Sequence, residues 1–320
     1  MPTLVRSERN SMRNLLKSTG TLLFLSTIYW LVSPRAKFAL KKFEDLVLRD
    51  NGAPHPSYSM DDFMKLDANL THCWFPSLDK KTKLNGWLVG NKNNTKNTLL
   101  FCTGRVTSIG DTWKYVSWML EAGHSVFVFE YRGVGNSPGL ATFKGIHEDG
   151  LAAYDYLSLQ LGYASGAIGI YGQSLGGFVA SYISSNRQSN LGALCLQSTG
   201  DKISRSGRIR NLYLRLFPDF MMPSPQMNNI SHVRKNQRDL YILHGEKDSD
   251  SWIDNNGVEA PGFSPLCADR LYSAAMTTKQ RHMMPNSGHL NLGETDRAVY
   301  IKALASMHAS LNKVVSRQIE

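Results

Sequence analysis

The run Ala167–Tyr171 (AIGIY) ends on Gly172-Gln173-Ser174-Leu175-Gly176-Gly177, after which Phe178, Val179, Tyr182 and Ile183 recur at helical spacing. A strand that becomes a helix in so few residues leaves no room for side chains two positions either side of Ser174. Glycine stands at both, Gly172 and Gly176. Such a turn lifts the serine Oγ above the end of a sheet and leaves the Leu175 amide as a donor at a helix N-terminus. It therefore demands a strand with a helix packed behind it, and the rest of the chain supplies the setting. Asn69–Phe75 and Leu84–Val89 read as an opening hairpin. Thr98–Cys102, Ser125–Phe129, Ala193–Leu196, Leu240–Leu243 and Arg281–Met284 read as further strands. Helical patterns lie between most of them, as in Asp111–Glu121 and in the series Ile146, Gly150, Ala153, Leu157, Leu161. The alternation predicts an α/β fold with a mostly parallel central sheet and helices on both faces, over residues 60–320.

A serine hydroxyl is a poor nucleophile near neutral pH and needs a base that a carboxylate holds in place. Sheet enzymes with a serine on such a turn order these groups Ser, then Asp or Glu, then His. Asp248 follows the strand Leu240–Leu243 in His244-Gly245-Glu246-Lys247-Asp248, and His289 follows the last strand in Asn286-Ser287-Gly288-His289. Both thus belong at carboxyl ends of strands, where sites of open α/β sheets collect. Glu246, Asp250 and Asp254 are rivals for the acid. His244, at a strand exit, reads as structural, and His282 lies inside a strand. For a second oxyanion donor the loop Thr103-Gly104-Arg105 is placed after an earlier strand, with the Arg105 amide as candidate beside that of Leu175.

Hydrophobic residues make up 42% of the 320 and charged residues 19%, enough apolar material for one large core. The four cysteines form no CxxC and no Cys/His cluster, which argues against a zinc site or a disulfide scaffold. The net charge of +10 is concentrated. Residues 1–50 hold nine Lys/Arg against four acidic residues (+5), and residues 202–238 hold eight against Asp219 (+7), leaving −2 for the remainder. No nucleic-acid module accompanies these blocks, and basic residues beside an apolar segment suit an anionic membrane surface better. That segment is Ser18–Ser33, uncharged and flanked by Arg13, Lys17, Arg35 and Lys37. Its sixteen residues would span about 24 Å as a helix, against a hydrocarbon core of roughly 30 Å. We expect residues 1–50 to carry a membrane anchor or uncleaved signal-anchor as an N-terminal hydrophobic helix. A cleaved signal peptide lacks a convincing small-residue site after Val32. A signal peptide and a soluble helix are the two alternatives, and with them a secreted or a cytoplasmic protein.

Five landmarks in order, TLLFCTGR, FVFEYRGVGNSPG, IYGQSLGG, LYILHGEKD and NSGH, span about residues 84–315 and resemble the α/β-hydrolase superfamily, particularly its membrane-anchored serine hydrolases with a short lid. The resemblance implies Ser174 as nucleophile, His289 as base, Asp248 as its orienter, and the Arg105 and Leu175 amides as the oxyanion hole, with no metal or organic cofactor. The sequence departs from the pattern at Thr103, where histidine is usual, and at Glu130, where aspartate is usual. The stretch Ser249–Gly262 is also longer than usual.

Tyr131–Gly139 is glycine-rich and follows a strand, but its spacing does not match a dinucleotide fingerprint, which disfavours NAD(P). Residues 199–238 lie where this fold often inserts a lid and have room for one or two short helices. Phe217 and Phe220 are candidates to line an acyl-chain groove there, with ordinary packing as the alternative. The expected activity is hydrolysis of carboxylic esters or thioesters through an acyl-serine, on small acyl, lipid or acylated-protein substrates at a membrane surface. A peptidase or amidase of the same fold, or a catalytically silent binding protein, is the alternative.

Overall fold

In a computed structural model the described residues are 34–48, 60–91, 97–105, 107–189, 192–210, 214–215, 217–249, 251–253 and 259–317. The apolar segment 18–33 lies outside them, as do Asp250 and Asp254. Among the described residues no helix is long and apolar enough to cross a membrane.

Helices α1 (Pro34–Leu48) and α2 (Met60–Met64) precede a hairpin of β1 (Asn69–Pro76) and β2 (Lys83–Gly90). There follow β3 (Thr98–Cys102), α3 (Trp113–Glu121), β4 (Ser125–Phe129), α4 (Phe143–Asp155), β5 (Ile168–Gln173), α5 (Gly176–Asn186) and β6 (Ala193–Gln197). Two short helices, α6 (Ile203–Arg210) and α7 (Asn229–Val233), lie between β6 and β7 (Asp239–Gly245). After a small separate hairpin, β8 (Ser251–Ile253) and β9 (Glu259–Pro261), come α8 (Leu266–Ala274), β10 (Lys279–Met284), α9 (Leu292–Thr295) and α10 (Arg297–Arg317).

The main sheet has eight strands in the order β1-β2-β4-β3-β5-β6-β7-β10. The β1/β2 and β2/β4 pairs are antiparallel, and every other neighbouring pair is parallel. Strands β3, β4, β5 and β6 are buried at every residue, which is why they read as unbroken apolar runs rather than alternating ones. Their side chains still alternate between two cores. Leu100, Cys102, Phe127 and Phe129 face α4, α5 and α8, whereas Leu99, Phe101, Val126 and Val128 face α3 and α10.

The chain steps from β3 outward to β4 and then returns past β3 to β5, so the carboxyl ends of β3 and β5 flank a topological switch point. The loops leaving these two strands carry Arg105 and Ser174.

Helix α1 falls within the segment expected to precede the domain, yet its Phe43 and Leu48 pack into the same core as α4 and α5. Phe43 stacks edge-on against Phe143 at 6.2 Å, and Glu44 Oε1 accepts the Phe143 amide at 2.6 Å. The glycine-rich turn after β4 is organised by Glu130. This buried carboxylate accepts Asn85 Nδ2 at 2.8 Å, the Ile109 amide at 3.0 Å and the Asn136 amide at 2.7 Å. Glutamate at this position thus ties β2, the loop after β3 and the turn together. Arg132 on the same turn grips the buried Asp149 of α4 through Nε and Nη2, at 3.0 and 2.7 Å.

Candidate active site

Ser174 has φ +54°, a left-handed conformation rare outside glycine. Holding a serine there costs on the order of 1–3 kcal/mol and needs surroundings that over-determine it. Its amide donates to Gln197 O at 2.9 Å, and its carbonyl accepts Thr199 Oγ1 at 2.7 Å and the Gly177 amide at 3.0 Å. The flanking glycines are required by close approach. A Cβ on Gly172 would lie 2.5 Å from Gly176 O, and one on Gly176 would lie 2.0 Å from Cys102 O and 2.4 Å from Thr103 O. The start of α5 therefore sits against the end of β3, which brings the loop carrying Arg105 up beside the serine turn.

His289 and Asp248 reach the same rim from two other strand ends. The loop after β10 is pinned by Ser287 Oγ to Asp296 Oδ2 at 2.5 Å, by the Gly288 amide to Asn291 Oδ1 at 2.8 Å, and by the Lys247 amide to Ser287 O at 3.0 Å. Gly245, at the end of β7, lets that loop lie directly on the strand, since a Cβ there would be 2.3 Å from Ser287 O. The outcome is a relay. Ser174 Oγ lies 2.9 Å from His289 Nε2, and His289 Nδ1 lies 2.8 Å from Asp248 Oδ2. A carboxylate facing Nδ1 requires the proton on that nitrogen, which leaves Nε2 as an acceptor for the serine hydroxyl. Both His289 and Asp248 are 5% exposed, while Ser174 is half-buried and reachable.

Asp248 has further partners that the sequence alone did not reveal. Its Oδ1 accepts the Phe263 amide at 3.2 Å. Its Oδ2 also lies 3.2 Å from Nε2 of His244, whose same nitrogen is 2.8 Å from Phe263 O. Two acceptors at one nitrogen place the His244 proton on Nε2 and share it between them. Burial opposes ionisation of Asp248, but the charge of His289 and the hydrogen bonds from His244 and His289 outweigh it, so its carboxyl titrates below the ordinary 3.8. Of the rival acids, Glu246 is exposed.

The Leu175 amide has no hydrogen-bond acceptor among the described residues and opens α5. Arg105 occupies the turn after β3 and is half-buried. Thr103, where histidine is usual in the family pattern, is buried, and its carbonyl accepts the Tyr131 hydroxyl at 3.4 Å. All four cysteines are buried free thiols, and burial pushes that of Cys102, at the base of this loop, far above its ordinary range. It offers no competing nucleophile. Among the described residues no group of three or more His, Cys, Asp or Glu is arranged to hold a metal.

The two lid phenylalanines occupy different environments. Phe217 is fully buried in the main core, whereas Phe220 is 80% exposed. Identical residue types three apart on a short irregular segment gave no periodic signal to separate them. Thr199 and His244 did carry usable signals: one is the second of two hydroxyl residues directly beyond β6, and the other stands four residues before Asp248.

A sequence-family model described as serine aminopeptidase, S33, matches residues 93–249. Among curated relatives, YfhR of Salmonella typhi is 25% identical over 66% of this chain and 71% of its own. The α/β-hydrolase domain-containing protein WAV2 of Arabidopsis thaliana is 29% identical over 48% of this chain and 50% of its own. YNL320W of Saccharomyces cerevisiae, an uncharacterized membrane protein, is 32% identical over 37% of this chain and 41% of its own. The chain thus spans about half or less of the length of the last two. Among solved structures, the Pyrococcus furiosus esterase Pf2001 superposes with a TM-score of 0.59 at 17% identity, covering 81% of this chain and 94% of that one. The Francisella virulence factor BioJ gives 0.57 at 17% identity, covering 89% and 98%. A puromycin hydrolase gives 0.58 at 14% identity, covering 78% of this chain and 40% of that one. With the serine turn at the switch point of a mostly parallel sheet and these matches around it, the chain has the α/β-hydrolase fold and is similar to members of that superfamily.

Proposed function

We propose that this chain is a serine hydrolase that cleaves carboxylic esters or thioesters through an acyl-serine intermediate. The observation that carries the reading is the continuous relay from Ser174 Oγ to His289 and Asp248, at 2.9 and 2.8 Å. In this reading His289 Nε2 takes the hydroxyl proton as Oγ attacks the carbonyl carbon, and the ionised Asp248 stabilises the imidazolium. The Leu175 amide, joined by that of Arg105, holds the developing oxyanion. His289 returns the proton to the leaving alcohol or thiol, and then activates a water that cleaves the acyl-serine. His244 is a positioning residue that keeps Asp248 ionised and aimed. Similarity to an esterase supports the ester class.

A fluorophosphonate probe tests the reading. It is expected to label the wild type and to lose all labelling in Ser174→Ala and most of it in His289→Ala. A folded wild type that takes no label refutes it.

The family match to serine aminopeptidases and the fold shared with a puromycin hydrolase favour one second reading, an amidase or peptidase using the same residues. Matched ester and anilide substrates separate the two. We further propose that the apolar segment Ser18–Ser33 holds the enzyme at a membrane, given its basic flanks and the membrane description of the yeast relative. Phe220, exposed on the lid, is placed to meet an acyl chain there, while Phe217 serves packing.

A further inference from the structure

The strongly basic stretch 202–238 does not form one patch. Arg238 is fully buried and donates through Nη1 to Ser165 O and Ile168 O and through Nη2 to Tyr154 Oη, at 3.1, 3.1 and 2.9 Å. Arg234 and Lys235 are exposed on a turn. Lys202, Arg205, Arg208 and Arg215 converge. A cavity of about 210 Å³ is lined by Lys202, Ser204, Arg205, Arg208, Arg215 and Asp219. Four cationic side chains thus surround one carboxylate, an excess of three positive charges in the wall.

Asp219 shows where an anion sits among these donors. It receives Lys202 Nζ at 3.1 Å, Ser204 Oγ at 3.1 Å and Arg208 Nη1 at 2.7 Å. One carboxylate does not use the supply. Arg208 Nη2 donates to Phe217 O at 2.5 Å, but its Nε is buried with no acceptor among the described residues, and Arg215 has no carboxylate partner among them, its Nε donating instead to Arg208 O at 3.0 Å. Arg205 is partly balanced from outside the cavity by Asp201, at 3.2 Å. Arginine forks with unused donors match the several oxygens of a phosphate better than a single carboxylate. The volume holds such a group with room to spare, a water taking about 30 Å³.

The cavity is joined to the serine turn through a short stretch of chain. Lys202 is three residues beyond Thr199, whose hydroxyl binds Ser174 O, and three residues reach at most about 11 Å. We infer that this cavity binds a phosphate group carried by the substrate, so that the preferred substrates are acyl esters whose alcohol part bears a phosphate. The substrate assignment rests on the ester-hydrolase reading above; the anion site does not. Only the acyl carbon–oxygen bond breaks, with water supplying hydroxide to the acyl group and the proton going to the leaving alcohol. The phosphate remains intact.

The test uses the full chain. Calorimetry with inorganic phosphate and with glycerol 3-phosphate reads the site directly. Hydrolysis of 1-acylglycerol 3-phosphate is then compared with that of 1-acylglycerol of equal chain length, in butyryl and oleoyl forms that separate a soluble phosphate ester from a lipid one. Arg215→Gln and Lys202→Gln are each expected to weaken phosphate binding about tenfold or more and to lower the phosphorylated-to-neutral ratio of kcat/KM by a similar factor. Asp219→Asn removes the competing carboxylate and is expected to tighten phosphate several-fold, an effect that damage to the fold would not produce. Absence of saturable phosphate binding in the wild type overturns the inference. So does an equal loss on both substrates, or a loss confined to binding of phosphatidylglycerol vesicles, which would assign the cations to a membrane surface. Phosphate binding that responds to these variants in a protein that hydrolyses neither ester and takes no fluorophosphonate would keep the anion site and refute the hydrolase reading.

Discussion

Gly176→Ala tests the packing that joins the serine turn to the loop after β3. The new Cβ would lie 2.0 Å from Cys102 O and 2.4 Å from Thr103 O, both backbone atoms that no rotamer change can move. Even an approach of 3.0 Å, which real Cβ contacts essentially never breach, requires one of the two segments to retreat by about 1 Å. Overpacking of this kind costs about 1–3 kcal/mol, or a fall in Tm of roughly 2–10 °C. The larger effect is on chemistry. The retreat separates the Arg105 loop from the Leu175 amide, and a misplacement near 1 Å costs on the order of 10²-fold in rate. Steady-state hydrolysis of a short acyl ester well below the Tm, read beside thermal unfolding, separates the two effects. The expected result is a kcat lowered about 10²-fold with KM little changed. A variant within twofold of wild type in kcat, with an unshifted Tm, would refute both the contact and the role of the loop.

Thr199→Val deletes the hydroxyl that holds Ser174 O. It should cost about 1–2 kcal/mol in denaturant unfolding and lower kcat while the protein still takes a fluorophosphonate. Arg132→Met strands the buried Asp149 carboxylate and should cost about 3–5 kcal/mol, with Asp149→Asn in the same chain recovering much of the loss. His124 and His147 are buried and His232 is half-buried, and desolvation lowers them to about 3, 4 and 4 from 6.5. A histidine depressed in the folded state binds its proton first in the unfolded chain. Their stabilisation is therefore present above pH 6.5 and declines as pH falls from there toward 4, by up to about one proton each. Denaturant titrations from pH 7 to 4 should show this slope, and His147→Gln should reduce it by about one proton; a slope unchanged in that variant would contradict the assignment.

Much of this protein was decided locally. Buried strands such as Thr98–Cys102 and Ser125–Phe129 are continuous apolar runs because both faces of a parallel sheet are covered, so composition alone marks them. The serine turn was equally legible, because Gly172 and Gly176 are demanded by contacts within eight residues of one another or with the adjoining strand. What the chain order could not convey was convergence. His289 and Asp248 meet Ser174 across 115 and 74 positions, brought together by β7 and β10 pairing in register and by a glycine that lets one loop lie on the other strand. The same limit hid the meaning of charge. Eight basic residues in one stretch look alike in sequence, yet packing buries Arg238 against carbonyls, leaves Arg234 in water and turns Lys202, Arg205, Arg208 and Arg215 toward one cavity. Periodicity reports which face a residue presents within its own element. Which groups then share a space is set by how elements pack, and that information resides only in the folded chain.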